Sequence, residues 1–269
     1  MSKKISKEDL KSPDQVTQTL RQGFVWTTAH SKIVITVVLA FIVVGSGISL
    51  MGYLSDKKES AQQEKYFLLE KSYTQKKADF EAAARAENMA AQTKNSKTPP
   101  PAADPTKKAT GDLEKDYGTV VAGFESFIKE EPKTKAAQMA ALNLSDIYLG
   151  YNKTDEAIAA LDKVQAGLDK SDVLTSLVWM QLGNAQANKQ DCQAAVQTWQ
   201  KIVSAKSLAF SHGEAKLRMG LCFESMNDLA KAEEFYTEVS KADANGGTDF
   251  NASQEAQKYL RLLKAKKNL

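Results

Sequence analysis

The sequence predicts an all-α protein, with one N-terminal transmembrane helix followed by a solenoid of helical hairpins. Three observations predict it. The stretch Ile33 to Leu54 holds 22 residues without a charge, and the chain behind it repeats at intervals of 38 and 37 residues. Only six prolines and fourteen glycines interrupt a composition rich in Ala, Lys, Glu, Gln and Leu, the residues that helices favour.

The apolar stretch comes first because the rest takes its orientation from it. At about 1.5 Å per residue it is ~33 Å long as a helix, enough to cross a hydrocarbon core roughly 30 Å thick. A buried core helix would show a polar face, and this run shows none around its circumference. Gly45, Ser46 and Gly47 imitate a signal-peptidase site, but the run is too long and too far from the start for a cleavable signal. Lys32 and the cluster Asp56 to Glu59 mark its edges, and Trp26 and Tyr53 fall where aromatic rings prefer the headgroup layer.

Charge sets direction and excludes a class of ligand. Residues 1–32 carry six basic and three acidic side chains, which accounts for the whole net charge of +3 and leaves the remainder neutral. A neutral body argues against nucleic acid, which needs a local excess of Lys and Arg. Lysines gathered in the short tail favour a cytoplasmic N-terminus and a translocated C-terminal part.

Residues 1–32 form that tail, in which Ser12, Pro13, Asp14 and Gln15 start a short amphipathic helix ending near Gly23 to Trp26. After the span at 33–54, residues 55–92 form a long amphipathic helix, free of Gly and Pro from residue 56, with Tyr66, Leu69, Tyr73, Phe80 and Ala84 at helical spacing. Those rings need a partner, either the next helix or another copy of the chain. Residues 93–111, with four prolines, read as a flexible linker or inserted loop.

Residues 112–248 carry the repeat. Equivalent positions hold Leu144, Leu182 and Met219; Ser145, Gly183 and Gly220; Ala157, Ala195 and Ala232; Leu161, Trp199 and Tyr236. Each unit is two antiparallel helices, the small residue of the first facing the alanine of the second where the backbones cross. Asn152, Gln190 and Asn227 fall at the turns, where a left-handed residue is needed. This is the tetratricopeptide pattern. An incomplete unit with Phe124 and Phe127 precedes these three, its first helix supplied by the stretch ending at residue 92. Residues 249–269, with Tyr259, Leu260 and Leu263, form a C-terminal capping helix.

Catalytic chemistry finds no support in these residues. His30 beside the membrane and His212 in a loop lack acidic partners at ligand spacing, and there is no phosphate loop, nucleophile elbow or HExxH pattern. No cofactor or metal is expected, and the chain does not read as an enzyme. Cys192 and Cys222 fall on neighbouring antiparallel helices, where a disulfide and a pair of buried thiols are both ordinary outcomes.

The first helices of such units line the inner face of the stack, and by register that lining includes Met139, Leu142, Leu149, Leu177, Met180, Leu217 and Leu221. Apolar side chains there either receive a partner's segment or are covered by the protein itself, with the C-terminal helix as the internal plug.

The aromatic stretch QGFVWTTAHSK before the span, SAQQEKYFLLEKSY after it, and the run from FESFIKEEP to DEAIAALDKV together resemble the YfgM family. The resemblance covers about residues 20–75 and 113–245 by order and spacing; the Lys- and Pro-rich extension at 76–112 departs from it. It implies a single-pass protein of the bacterial inner membrane with a periplasmic tetratricopeptide-like domain, ancillary to the Sec translocon. The implied partners are translocon subunits, a membrane-anchored chaperone or prolyl isomerase, and exported proteins. The alternative is a structural scaffold of a cell-envelope complex without chaperone activity.

Overall fold

The computed structural model describes residues 24–26, 29–92, 104–242 and 250–267. Apart from helical residues 24–26, the amphipathic helix expected in the N-terminal tail lies outside them. Nine α-helices are described: α1 (Ser31–Gln92), α2 (Leu113–Glu130), α3 (Lys135–Gly150), α4 (Thr154–Asp162), α5 (Val173–Asn188), α6 (Cys192–Ser204), α7 (His212–Ser225), α8 (Leu229–Ala242) and α9 (Phe250–Lys267). By their contacts the residues fall into two units, Met1–Lys58 and Glu59–Leu269.

In the first unit α1 is long and apolar enough to cross a membrane, and none of its apolar window is buried. Phe41, Val43 and Met51 stand fully out from the helix. An exposed apolar surface of this extent is stable only against lipid or another protein.

In the second unit the helices pair in order, α3 with α4, α5 with α6 and α7 with α8. Side-chain caps start α2, α3, α5 and α6: Asp112 accepts from the N–H of Glu114 and Lys115, Thr134 from Ala137, Asp172 from Leu174 and Asp191 from Ala194. Their turns are the same turn three times. Asn152, Gln190 and Asn227 have φ of 58°, 67° and 62°, and the next residue's N–H reaches back to Tyr148, Gln186 and Phe223 respectively, at 2.8 to 3.0 Å. His212, expected in a loop, is the first residue of α7, and its Nε2 lies 3.0 Å from the Ala205 carbonyl oxygen.

At two of the crossings the nearest neighbour of the small residue is a ring, where an alanine was expected. A Cβ built on Gly220 would fall 2.6 Å from the Tyr236 ring, and one on Gly183 would overlap the Trp199 indole. The small residue makes room for the large one at the position of Leu161, Trp199 and Tyr236. Both Trp199 and Tyr236 are buried.

The last part of α1 is the missing first helix of the incomplete unit. Tyr66 and Tyr73 are buried against α2, Tyr66 lying 6.4 Å from both Phe124 and Phe127, and Tyr73 edge-on to Phe124 at 6.1 Å. Phe80 meets Tyr117 edge-on at 5.4 Å. Burial of each such ring contributes about 2–3 kcal/mol, and the paired geometry adds ~0.5–1.5 kcal/mol. Ala83 closes this face in place of Ala84, which is exposed.

Residues 93–103 of the expected flexible linker lie outside the description, but its end is held. Lys107 and Lys108 pair with Asp79 and Glu87 of α1 at 3.1 and 2.8 Å. The carboxylate of Asp116, 2% exposed, accepts the N–H groups of Thr110 and Gly111 and the hydroxyls of Thr110 and Tyr151, all within 3.0 Å. A φ of 82° at Gly111 turns the chain into this site. Lys76 of α1 adds a bond to the Asp116 carbonyl oxygen at 2.7 Å. The bonds form because a buried carboxylate is stable only when its lone pairs are filled.

Two predictions follow from these contacts. Gly183→Ala destabilises the chain by about 1–3 kcal/mol through overpacking, although alanine is favoured over glycine in helices by ~1 kcal/mol. In a Trp199→Leu background the same change stabilises; equal effects in both backgrounds, measured by chemical unfolding, contradict the crossing described. Burial works against the Asp116 carboxylate, yet the N–H of Thr110, the hydroxyls of Tyr151 and Thr110 and the N–H of Gly111 hold its pKa below the ordinary value. Its stabilisation is therefore present above the unfolded value of about 3.9 and is lost as the pH falls through the lower folded value. The stability gap between wild type and Asp116→Asn, about 1–3 kcal/mol at neutral pH, shrinks below about pH 4; a gap constant down to pH 2 refutes the latch.

Candidate partner-binding face

The first helices α1, α3, α5 and α7 present equivalent positions in rows. Because side chains three and four residues apart share a helix face, residues 139, 142, 143 and 146 of α3 stand together, and the repeat places 177, 180, 181 and 184 of α5 and 214, 217, 218 and 221 of α7 beside them.

The expected lining residues divide into three groups. Met139, Leu142 and Leu149 are half-buried and packed on the core shared by α1 to α5, and Met180 is half-buried on the core that includes Trp199. Leu177 is 51% exposed, close in sequence to Val173 at 56%. Leu217 is corrected to a core residue: at 1% exposure it packs with Tyr236, Ala256 and Leu263. Leu221 is half-buried on that same cluster. The reason is α9, which lies along α8 and α7 and covers the end of the stack.

Sequence reasoning had singled out only the apolar rows, and the structure interleaves them with polar ones. Asn143 donates to the Tyr66 hydroxyl at 2.8 Å, and Tyr66 donates to Glu70 at 3.0 Å. Gln181 donates to Asp146 at 2.6 Å, while Lys77 lies 5.6 Å over the Tyr73 ring. Partial desolvation raises the carboxyl of Asp146, an exposed residue, above its ordinary pKa, with Lys77 and Gln181 pulling it back in part. Burial, then Glu70, pushes the Tyr66 phenol upward, so it remains a neutral donor. The signal for these rows was present in the register: Asn143, Gln181 and Arg218 are equivalent, as are Asp146, Asn184 and Leu221.

Between α5 and α7 the face opens into a cavity of about 230 Å³ lined by Asn184, Trp199, Arg218, Leu221, Cys192 and Cys222, among others. The two cysteines have Cα atoms 5.2 Å apart and Sγ atoms at bonding distance, within the range a disulfide requires. They connect the start of α6 to α7.

No group of three or more His, Cys, Asp or Glu with metal-holding geometry occurs among the described residues. What the rows offer is apolar contact area flanked by oriented amides and carboxylates.

The family model for the tetratricopeptide repeat matches residues 214–245, which span α7 and α8. No match to this chain was found among curated proteins. Among solved structures, a crystal structure of MamA is similar at 21% identity over 60% of this chain and 95% of that one, with a TM-score of 0.38. The nearly identical TPR-like repeats assigned to a kinesin light chain of Podospora anserina are similar at 17% identity over 56% of this chain and 89% of that one, with a TM-score of 0.40. These likenesses carry nothing about partners or activity. Residues 214–245 match the tetratricopeptide repeat, and the described residues form an all-α protein of helical hairpins with one apolar N-terminal helix.

Proposed function

We propose that the chain is a membrane-anchored protein-interaction module that takes up segments of other proteins on the first-helix face of α3 and α5. The observation that supports this is the apolar pair of rows Met139 and Leu142 beside Leu177 and Met180, half-buried or exposed, next to the polar rows of Asn143, Asp146 and Gln181. A solvated face needs no such apolar rows, and a closed core tolerates no such polar ones. Leu149 extends the apolar surface on α3, and Leu221 marks where α9 ends it.

Resemblance to the YfgM family, together with the lysine-rich tail before the apolar stretch, supports a finer reading. The N-terminus lies in the cytoplasm and the repeats in the periplasm of a bacterial inner membrane. The module is an ancillary subunit of the Sec translocon that assists exported proteins as chaperone or docking factor, beside a membrane-anchored chaperone or prolyl isomerase. Cys192 and Cys222 fit the same placement, since a disulfide persists in an oxidising compartment.

A photocrosslinking residue at Leu142, Leu177 or Met180 captures a spread of unrelated exported chains in intact cells, and the same residue at buried Leu217 captures none. One constant partner indicates a scaffold in place of a chaperone, and capture of α9 alone from the three positions refutes the binding face. Alkylation of unfolded, non-reduced chain taken directly from membranes labels no cysteine, and labels both after reduction. Reduction also removes about 3–4 kcal/mol of stability, the loop-closure value for a separation of 30 residues. Two thiols labelled without reductant contradict the periplasmic disulfide.

A further inference from the structure

The last helix is charged unlike its neighbours. Within α9 stand Lys258, Arg261, Lys264, Lys266 and Lys267 against Glu255 alone, a net +4. Residues 33–249 hold 25 basic and 29 acidic side chains, a net −4. The adjoining α8 carries two basic and three acidic residues, and α7 two of each. Ala252, Ala256 and Leu263 of α9 turn inward and are buried. On the opposite side Lys258, Arg261, Leu262 and Ala265 recur at helical spacing, and all four are exposed, Leu262 at 57%. Lys264 and Lys266, also exposed, stand at the two margins of that side.

Capping and the helix dipole account for only part of this. A terminal helix needs a polar outer face, which Gln254 and Gln257 already give to its first half. The dipole favours cations in the last turn, where Lys264, Lys266 and Lys267 fall, and Lys266 also reaches Glu224 at 3.7 Å. Lys258 and Arg261 lie one to two turns earlier, beyond the reach of the dipole. Neither forms an ion pair among the described residues.

We infer that the outer face of α9 docks on the anionic headgroups of a lipid bilayer, with Lys258, Arg261 and Lys264 at phosphates and Leu262 at the acyl boundary. The inference rests on the reading of the apolar stretch as a membrane anchor. Magnitude decides for lipid over an acidic protein in solution. Each Lys or Arg near an anionic surface raises occupancy about fivefold, so four reach a dissociation constant of only about 1 mM. Exposed ion pairs with a protein gain no more. Such an affinity does not hold a partner present at micromolar concentration. It suits a surface to which the chain is tethered, whose effective concentration is itself millimolar.

The test places the full chain in nanodiscs of phosphatidylcholine, pure or with about a third of the lipid replaced by phosphatidylglycerol. An environment-sensitive fluorescent residue stands at Leu262, or in a second sample at Val43 of the apolar stretch, and spin-labelled lipid is the quencher. At low salt the Leu262 probe is blue-shifted and quenched in the phosphatidylglycerol discs, and is neither in pure phosphatidylcholine. Salt of about 1 M, which screens charges beyond ~3 Å, releases it. Lys258→Gln together with Arg261→Gln lowers the docked-to-free ratio about 25-fold. Both positions are exposed, so the fold survives the change. Quenching at Val43 but not at Leu262 in the phosphatidylglycerol discs overturns the docking alone; quenching at neither removes the anchor with it. Equal quenching at Leu262 in both lipids contradicts a charge-driven contact. Release of the Leu262 probe by micromolar polyglutamate assigns the face to an acidic protein and likewise overturns the inference.

Discussion

The seam of rings between the last part of α1 and α2 is what the rest of the repeat unit depends on. Tyr66, Tyr73 and Phe80 supply one side of it, and Tyr117, Phe124 and Phe127 the other. Without them α2 would be a second helix with no first, its aromatic face open to water at the end of the stack. A helical hairpin cannot bury its apolar stripe alone, so each needs a neighbour on both sides or a cap. The helix that carries the apolar stretch thus also completes the first repeat. The long connection from α1 to α2 is tolerable because closure entropy grows slowly with length, about 0.6 kcal/mol for each doubling. Asp116 then fixes the far end of that connection on buried N–H and O–H groups.

Within the stack a size exchange does the same work at two of the crossings. Gly183 and Gly220 admit Trp199 and Tyr236, while the equivalent positions of the preceding repeat hold Ser145 and Leu161. The exchange has a chemical consequence at one crossing only. Tyr236 keeps its hydroxyl paired, donating to Glu224 at 3.0 Å, whereas Trp199 sinks so far toward Gly183 that its N–H finds nothing. The cavity that opens there is therefore a product of how the repeat packs, and it lies beside the half-buried rows of the first helices.

Much of this was legible in the sequence because it depends on spacing. The apolar stretch, the repeat period and the left-handed turns at Asn152, Gln190 and Asn227 are each set by local residue choice, and each stands where expected. What depends on contact between distant residues was not legible. Alanines recur at the crossings, yet it is the rings that meet the glycines, because periodicity does not say which of two neighbouring positions points across. Leu217 occupies a lining register but is core, since α9 covers that end of the stack and not the other. Asp116 reads as an ordinary acidic residue near a helix start; only the fold brings Thr110, Gly111 and Tyr151 onto it. The polar rows of Asn143, Asp146 and Gln181 share the register with the leucines and methionines beside them, and together they make the face amphipathic.

Amphipathicity is also the link from structure to function. In the proposed function the apolar rows supply contact area and the polar rows supply register. All of it presupposes that α1 is seated on α2, and native-state hydrogen exchange on the full chain in detergent micelles measures that seating directly. The account predicts that backbone amides from Tyr66 to Ala83 are protected as strongly as those of α3. Exchange there at the rate of an isolated, fraying helix, with α3 still protected, would show that the repeats stand without α1 and contradict the account.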